Sequence, residues 1–215
     1  MNPTKTQHFL FVSTLAISSI TLLSGASSMA IAQPLAEQQL EQEANQKIAQ
    51  FSQALKGQLQ AAIKQGGLPA GVSVCKSVAP SIAAENSQDG WTLKRTSLRV
   101  RNSDNTPDSW ELAQLNQFEQ TKAAGKQAAD APIVASEYIV NGDTTEFRYM
   151  KAIPTQELCL GCHGSNITPE LSTLIKQAYP EDKAINFELG DLRGAFSLQK
   201  VISSTEQLKT ISGKP

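Results

Sequence analysis

Histidine, cysteine and methionine are scarce in this chain of 215 residues, with two, three and three copies respectively. Any chemistry that needs an imidazole or a sulfur donor is therefore confined to a handful of positions. Aromatic residues make up only 6 % of the chain, and 19 basic residues face 20 acidic ones for a formal net charge of −1. That balance excludes the basic footprint of a nucleic-acid binder. Beyond the N-terminal segment, no run is long and apolar enough to span a bilayer. Internal repeats, long linkers and alternating strand and helix signals are also missing, which excludes solenoids and doubly wound parallel sheets.

What is present begins with a helical stripe. Leu40, Ala44, Ile48, Phe51, Leu55, Leu59 and Ile63 recur at three- and four-residue steps. They predict one amphipathic helix from about Leu35 to Gln65, ended by Gly66-Gly67. Such a stripe packs a core, and it can also pair with a second copy, so a homodimer stays open. The apolar stretch Ala70–Ala79 predicts a second, buried helix carrying Cys75, and Pro80 opens a short further turn before Asp89-Gly90. Trp91 to Val100 reads as a strand. Thr106 is the expected cap, and Pro107 the start, of a helix to about Lys122. Ile133–Val140 and Thr144–Ile153 flank Asn141-Gly142, a type I′ hairpin signal. Thr168-Pro169 starts a helix to about Tyr179, and Arg193 to Val201 reads as a final strand. Helices first and strands later argue an α+β domain with an antiparallel sheet.

Two of the three cysteines and one of the two histidines are contiguous, in Cys159-Leu160-Gly161-Cys162-His163. C-x-x-C-H is the attachment signature of covalent c-type haem. The two thiols add across the porphyrin vinyl groups, and the adjacent histidine then lies under the iron as proximal ligand. Other readings compete. A thioredoxin-type redox pair belongs after a strand in a βαβ pattern, which is not visible here. A disulfide at this spacing closes too small a loop to stabilise much. Cys75, Cys159, Cys162 and His163 can make up a Cys3His zinc set, but adjacent residues rarely reach one tetrahedral ion together.

The N-terminus reads as a secretory signal over residues 1–32. Lys5 supplies the positive start, Phe9 to Leu23 is apolar, and Ala30-Ile31-Ala32 offers a cleavage site before Gln33. The apolar part is short for a spanning helix, and no cysteine lies near the cleavage site for lipid attachment. Residues 33–215 are then one exported domain with no membrane span, in the periplasm or thylakoid lumen. Covalent haem attachment takes place outside the cytoplasm, so the leader and the motif agree.

Haem iron takes His, Met, Cys or Tyr as axial partners. With the leader go His8, Met1 and Met29, which leaves His163 as the only histidine and excludes a bis-histidine site within one chain. The sixth position is left to Cys75, Met150, a weaker donor such as Tyr or Lys, or nothing. An odd thiol in an exported protein asks for an explanation, although buried inert cysteines are common. Met150 lies in Glu146–Ile153, which alternates like a strand, and there a core methionine is the simpler reading. Arg95, Arg99, Arg101 and Arg148 are candidates for the haem propionates, because guanidinium forks match carboxylates. Tyr149, on the strand leading into the motif, can hydrogen-bond near the haem or simply pack.

An ordered set of segments resembles the family of PAS-like, single-haem c-type proteins, found alone in cyanobacteria and as extracytoplasmic sensor regions of bacterial signalling proteins. The segments are Val74-Cys75-Lys76 with Ala79–Ala83, Lys94–Leu98 with Arg101-Asn102, Asn105–Asp108, Trp110-Glu111, Phe147–Met150, Ile153-Pro154, Glu157–Gly164 and Gly190–Phe196. They cover most of the chain from about residue 36 to 202. Ser103 departs from the pattern, where proline is usual after Arg-Asn, and lies in a loop. The resemblance implies a PAS-like antiparallel sheet flanked by helices, with a long N-terminal helix. It also implies one covalently attached haem c held by His163 and by the thiolate of Cys75.

A thiolate stabilises ferric over ferrous iron, so the expected reduction potential lies well below that of a His/Met cytochrome. Protonation of Cys75 on reduction can weaken its bond and free the position for a diatomic gas such as CO or NO. The expected function is a redox or small-molecule sensor, which needs a signalling partner protein. The alternative is a soluble low-potential electron carrier with fixed ligands and a redox partner. Haem catalysis ranks last, since no distal histidine exists, and an enzyme is not expected. Fold resemblance cannot choose between sensor and carrier.

Overall fold

A computed structural model describes residues 29–125 and 131–202, with side chains from Ala36 onward. The apolar run of the leader lies outside the described residues, and its expected cleavage site falls on the first turn of the first helix. Among the described residues, no helix is long and apolar enough to cross a membrane.

The stripe from Leu40 forms the helix α1, Met29–Ser73. It is broken where the glycine pair predicted an end. Gly66 leaves the helical region at φ −134° and ψ 16°, and Gly67 takes φ 68° and ψ −170°, a conformation open to glycine and hardly to any residue with a Cβ. The first helical segment ends there, as the sequence reading expected, and a second begins at once. The chain kinks, makes another helical turn and passes into a π turn, Val74–Val78, that carries Cys75. The helix α2, Ala79–Asn86, comes next, with Pro80 in its first turn.

Among the described residues there are four strands: β1 (Trp91–Thr96), β2 (Val134–Asn141), β3 (Thr144–Pro154) and β4 (Leu192–Ile202). They form one antiparallel sheet in the order β1-β4-β3-β2. This is the α+β arrangement expected, with a long N-terminal helix, and is consistent with a PAS-like fold. The sheet has two different faces, as strand alternation requires. On one, Trp91, Leu93, Phe147, Tyr149 and Leu198 pack against Ala44, Ile48 and Phe51 of α1 and Ile82 of α2. On the other, Met150, Leu192 and Ala195 pack against Leu115 and Phe118 of α3, Ser109–Ala123. Met150 is thus a core residue, fully buried.

Three local expectations need correction. β1 stops at Thr96, four residues short of Val100, because Ser97 turns the chain: its Oγ lies 3.1 Å from Arg99 O and 2.8 Å from Arg193 O, and accepts from Arg99 N. The cap of α3 is Asp108 and not Thr106: its carboxylate accepts from Glu111 N, while Glu111 Oε2 accepts from Asp108 N, a reciprocal box that outcompetes a lone hydroxyl. The β2–β3 turn is centred on Gly142-Asp143 between the paired Asn141 and Thr144. Only Gly142 has positive φ, so the turn is of the II′ kind rather than I′.

Candidate functional site

The short helix α4, Glu157–His163, holds the whole C-x-x-C-H motif. Spacings of three and four bring Cys159, Cys162 and His163 onto neighbouring positions of one helical surface. The Gln156 N–H donates to Cys159 Sγ at 3.4 Å. At Gly161 the helix meets the turn after the α1 kink: an added Cβ would lie 3.0 Å from Leu68 Cδ2. Glycine at that position lets the motif pack directly on the segment leading to Cys75. Leu68 and Val72 join Leu171, Ile175, Tyr179 and the partly buried Cys162 in one apolar cluster, built against α5, Pro169–Ala178.

His163 is held at both ends. Nδ1 lies 2.8 Å from Ala184 O, and Nε2 lies 3.4 Å from a guanidinium nitrogen of Arg193. A guanidinium only donates, so Nε2 is the acceptor and Nδ1 carries the proton given to the carbonyl. This is the tautomer a proximal ligand needs, with one nitrogen tethered to the backbone and the other unprotonated, its lone pair facing Arg193. Burial, then the charges of Arg193 and Arg101, drives the imidazole down to about 2, so the ring is neutral over the whole working range. Phe187 packs against it edge-on at 6.2 Å.

Three arginines surround the motif. Arg101, with a side chain 10 % exposed, bonds Cys162 O at 2.7 Å and Ala184 O at 3.1 Å and pairs with Asp182 at 3.0 Å. It thereby secures both the motif backbone and the carbonyl that orients His163. Its Nε is buried without a partner among the described residues. Arg193 lies over Phe187 and beside His163, and burial followed by Arg95 and Arg101 lowers it to about 10. Arg95 shares a strand face with Trp91 and Leu93 and stacks 5.6 Å over the ring of Phe51. Burial lowers it, against the opposing influence of Cys75 and Tyr179. Among the described residues neither Arg95 nor Arg193 forms an ion pair with a carboxylate.

Cys75 is half-buried. It lies close enough to Cys162, Arg95 and Tyr179 to act on each electrostatically. A residue 84 positions before the motif in sequence has been folded onto it. The π turn that carries Cys75 is a local widening of the kind that recurs at functional positions.

The structure therefore gathers Cys75, Arg95, Cys159, Cys162 and His163, together with Arg101. It does not bring Arg148 or Tyr149 to this group. Arg148 points to the α3 face, where it pairs with Asp108 at 2.6 Å and lies over Trp110. Tyr149 points to the α1 face, but its hydroxyl accepts from Asn45 at 2.8 Å inside the main core. Arg99 stacks 3.6 Å over Phe187 and bonds Ile185 O, at the edge of the cluster. Sequence reasoning missed Tyr179, Phe187 and Arg193. Tyr179 succeeds Leu171 and Ile175 at steps of four and was legible as part of that helix face. Arg193 lay within a matched segment without being singled out.

An antiparallel sheet under a bent helical hairpin, with a C-x-x-C-H helix closing one end against a distant cysteine, defines a distinct α+β class of protein. The chain belongs to the Tll0287-like family, whose model matches residues 32–200. Its fold is similar to that in the crystal structure of the cyanobacterial heme-protein Tll0287, with a TM-score of 0.51 at 23 % sequence identity, covering 75 % of this chain and 93 % of that one. No curated protein matches the sequence.

Proposed function

We propose that this is an exported haem protein, with one haem c tethered through Cys159 and Cys162. Its iron is held by His163 Nε2 on one side and the thiolate of Cys75 on the other. The observation that carries the reading is the convergence of a remote cysteine on the C-x-x-C-H helix, inside a ring of arginines, two of which pair with no carboxylate among the described residues. The residues fit the group: two thiols for the thioether links, a neutral imidazole with an unprotonated Nε2 that only the Arg193 guanidinium faces, at 3.4 Å, and guanidiniums for two propionates. The description of the structural relative as a heme-protein supports the same reading. When bound, the haem supplies one-electron redox chemistry and affinity for diatomic ligands. The chain's own part is to orient His163 through Ala184 and Arg101, to offer Cys75 from a widened helical turn, and to balance the propionates with Arg95 and Arg193.

The role we assign is redox or small-molecule sensing rather than catalysis or electron carriage. A thiolate on a π turn is a ligand that protonation on reduction can release, and a signalling partner protein would pass the change on. The test is expression in a host competent for c-type maturation. The expected product is coloured, carries the mass of one haem after acid-acetone treatment, and binds CO in the ferrous state. A colourless product, or a mass without the macrocycle, overturns the haem assignment. A ferrous form that stays six-coordinate and ignores CO overturns the sensor role in favour of a low-potential electron carrier.

A further inference from the structure

Residues 184–187 form neither helix nor strand, yet they are bonded to the motif histidine and its successor at three points. Ala184 O lies 2.8 Å from His163 Nδ1. The Phe187 N–H donates to His163 O at 2.9 Å, and the Asn186 N–H donates to Gly164 O at 3.3 Å. The Phe187 ring stands edge-on to the imidazole. Asn186 takes φ 58° in this segment, a left-handed conformation that asparagine visits more readily than most residues with a Cβ. Arg99, in the turn that follows β1, braces the segment. Its Nη1 donates to Ile185 O at 3.0 Å and to Asn186 O at 3.3 Å, and its guanidinium carbon lies 3.6 Å from the centre of the Phe187 ring. Nη2 lies 3.9 Å from the Asp191 carboxylate, which accepts from the Glu188 N–H at 2.9 Å. Two backbone ties hold the brace itself: the Ser97 hydroxyl accepts from the Arg99 N–H at 3.1 Å, and Val100 O accepts from the Lys183 N–H at 2.8 Å. One arginine thus reaches two carbonyls, one ring and one carboxylate of the loop that embraces His163.

We infer that Arg99 is a positioning residue for the proximal histidine: by clamping residues 184–187, it fixes the rotation of the His163 ring and the strength of the ring's bond to Ala184 O. This deepens, and rests on, the reading of His163 as an iron ligand. It is a different role from the propionate contact that the sequence suggested for Arg99, whose guanidinium is committed to the loop. The partner of a ligating imidazole's second nitrogen sets both the ring's orientation and its basicity. A firm Nδ1–H bond to the carbonyl makes the imidazole a stronger donor and so favours ferric iron. A loosened loop lengthens that bond and lets the ring rotate about its bond to the metal. Arginine suits the task because its planar fork bonds two carbonyls while its face stacks on an aromatic ring, neither of which the point charge of lysine reproduces.

The experiment compares wild-type holoprotein with Arg99→Lys, which keeps the charge and loses the fork and the stack, and with Arg99→Met, which loses all three. The Arg99 side chain is 42 % exposed, so neither replacement opens the core. Arg99→Lys is expected to broaden the ferric low-spin paramagnetic-resonance lines, because the ring then takes a spread of rotations. It is also expected to favour ferrous iron about threefold at fixed ambient potential, which is about 28 mV upward at 59 mV per tenfold for one electron. Amide exchange of a peptide spanning residues 183–190, read by mass spectrometry, is expected to quicken. Arg99→Met is expected to broaden the lines equally. Lines and potential of Arg99→Lys that match wild type overturn the inference, and a shift toward ferric iron in Arg99→Met alone would then assign Arg99 a purely electrostatic part. Faster exchange with lines and potential unmoved overturns it as well, since the clamp would serve the loop and not the ligand. The two levels separate by colour and mass. A wild-type product without haem sinks the His163 reading and this inference with it, whereas a loaded wild type leaves only the Arg99 claim at stake.

Discussion

Two clusters of basic residues lie on opposite faces of the same sheet, and they are balanced differently. On the α3 face, Arg148 and Lys94 converge on Glu111, which is fully buried, with Lys94 at 2.9 Å and Arg148 at 3.6 Å, and Asp108 takes Arg148 at 2.6 Å. Each cation there meets a carboxylate, and the cluster ties α3 to β1 and β3. At the α4 end, Arg95, Arg101 and Arg193 crowd together and, among the described residues, only Asp182 makes direct contact, through Arg101. Desolvation and mutual repulsion lower Arg193 to about 10. A balanced cluster is accounted for by the fold itself. An unbalanced one beside a C-x-x-C-H helix leaves room for an anion from outside the described polypeptide, and on the proposed reading the two haem propionates would be that anion.

The sharpest way to break this comparison is to damage each side and ask whether the other responds. Glu111→Gln leaves Lys94 and Arg148 without their buried charge partner and is expected to destabilise the fold by about 3 kcal/mol, read from urea unfolding, with the absorption spectrum of the holoprotein unchanged. A spectral change would show that the two clusters are not independent.

Arg193→Met and Arg95→Met act in the opposite sense. They relieve like-charge repulsion, so the haem-free chain, made with both motif cysteines replaced by alanine, is expected to unfold at the same or higher urea concentration. The loaded protein is expected to shift toward ferric iron, because positive charge has been removed from beside the site, by about tenfold at fixed potential, or ~1.4 kcal/mol. Loss of stability in the haem-free chain would mean that these guanidiniums serve the fold.

The smallest effect concerns acid. Burial works to raise Asp108, but hydrogen bonds from Arg148 and the Glu111 N–H, with the charges of Arg148 and Lys94, outweigh it and hold the carboxyl below its ordinary 3.8. A depressed carboxyl stabilises the fold fully above its unfolded value and ceases to do so as pH falls through the lower folded value. Between these points wild type is expected to lose stability more steeply than Arg148→Met, measured as urea midpoints at a series of pH values. Parallel curves would show that Asp108 gains nothing from Arg148.

The contrast between the faces also marks how far the residues alone could be read. The stripe from Leu40 to Ile63, the strands around Gly142 and the C-x-x-C-H motif are local signals, with their period or spacing written along a few consecutive residues, and β2, β3 and β4 fell close to their expected bounds while β1 ended early. The arginines were harder, because a guanidinium's partner is decided by which sheet face it emerges from and which helix covers that face. Arg95 shares parity with Trp91 and Leu93 and so faces α1, whereas Arg148 shares parity with Met150 and faces α3. That distinction needs the register of β3 against β4, which no short window contains. The kink at Gly66-Gly67 was legible as an end but not as a reversal, since the path of the chain beyond it depends on packing against α4 through Gly161.

The central claim is that Cys75 and His163 grip one iron from opposite sides, and low-temperature electron paramagnetic resonance of the ferric holoprotein tests it most directly. The account predicts a low-spin signal with the narrow g spread of a thiolate–imidazole pair in wild type, converted to another ligation pattern by Cys75→Ser. A wild-type signal lacking thiolate character, or one that Cys75→Ser leaves untouched, would contradict it.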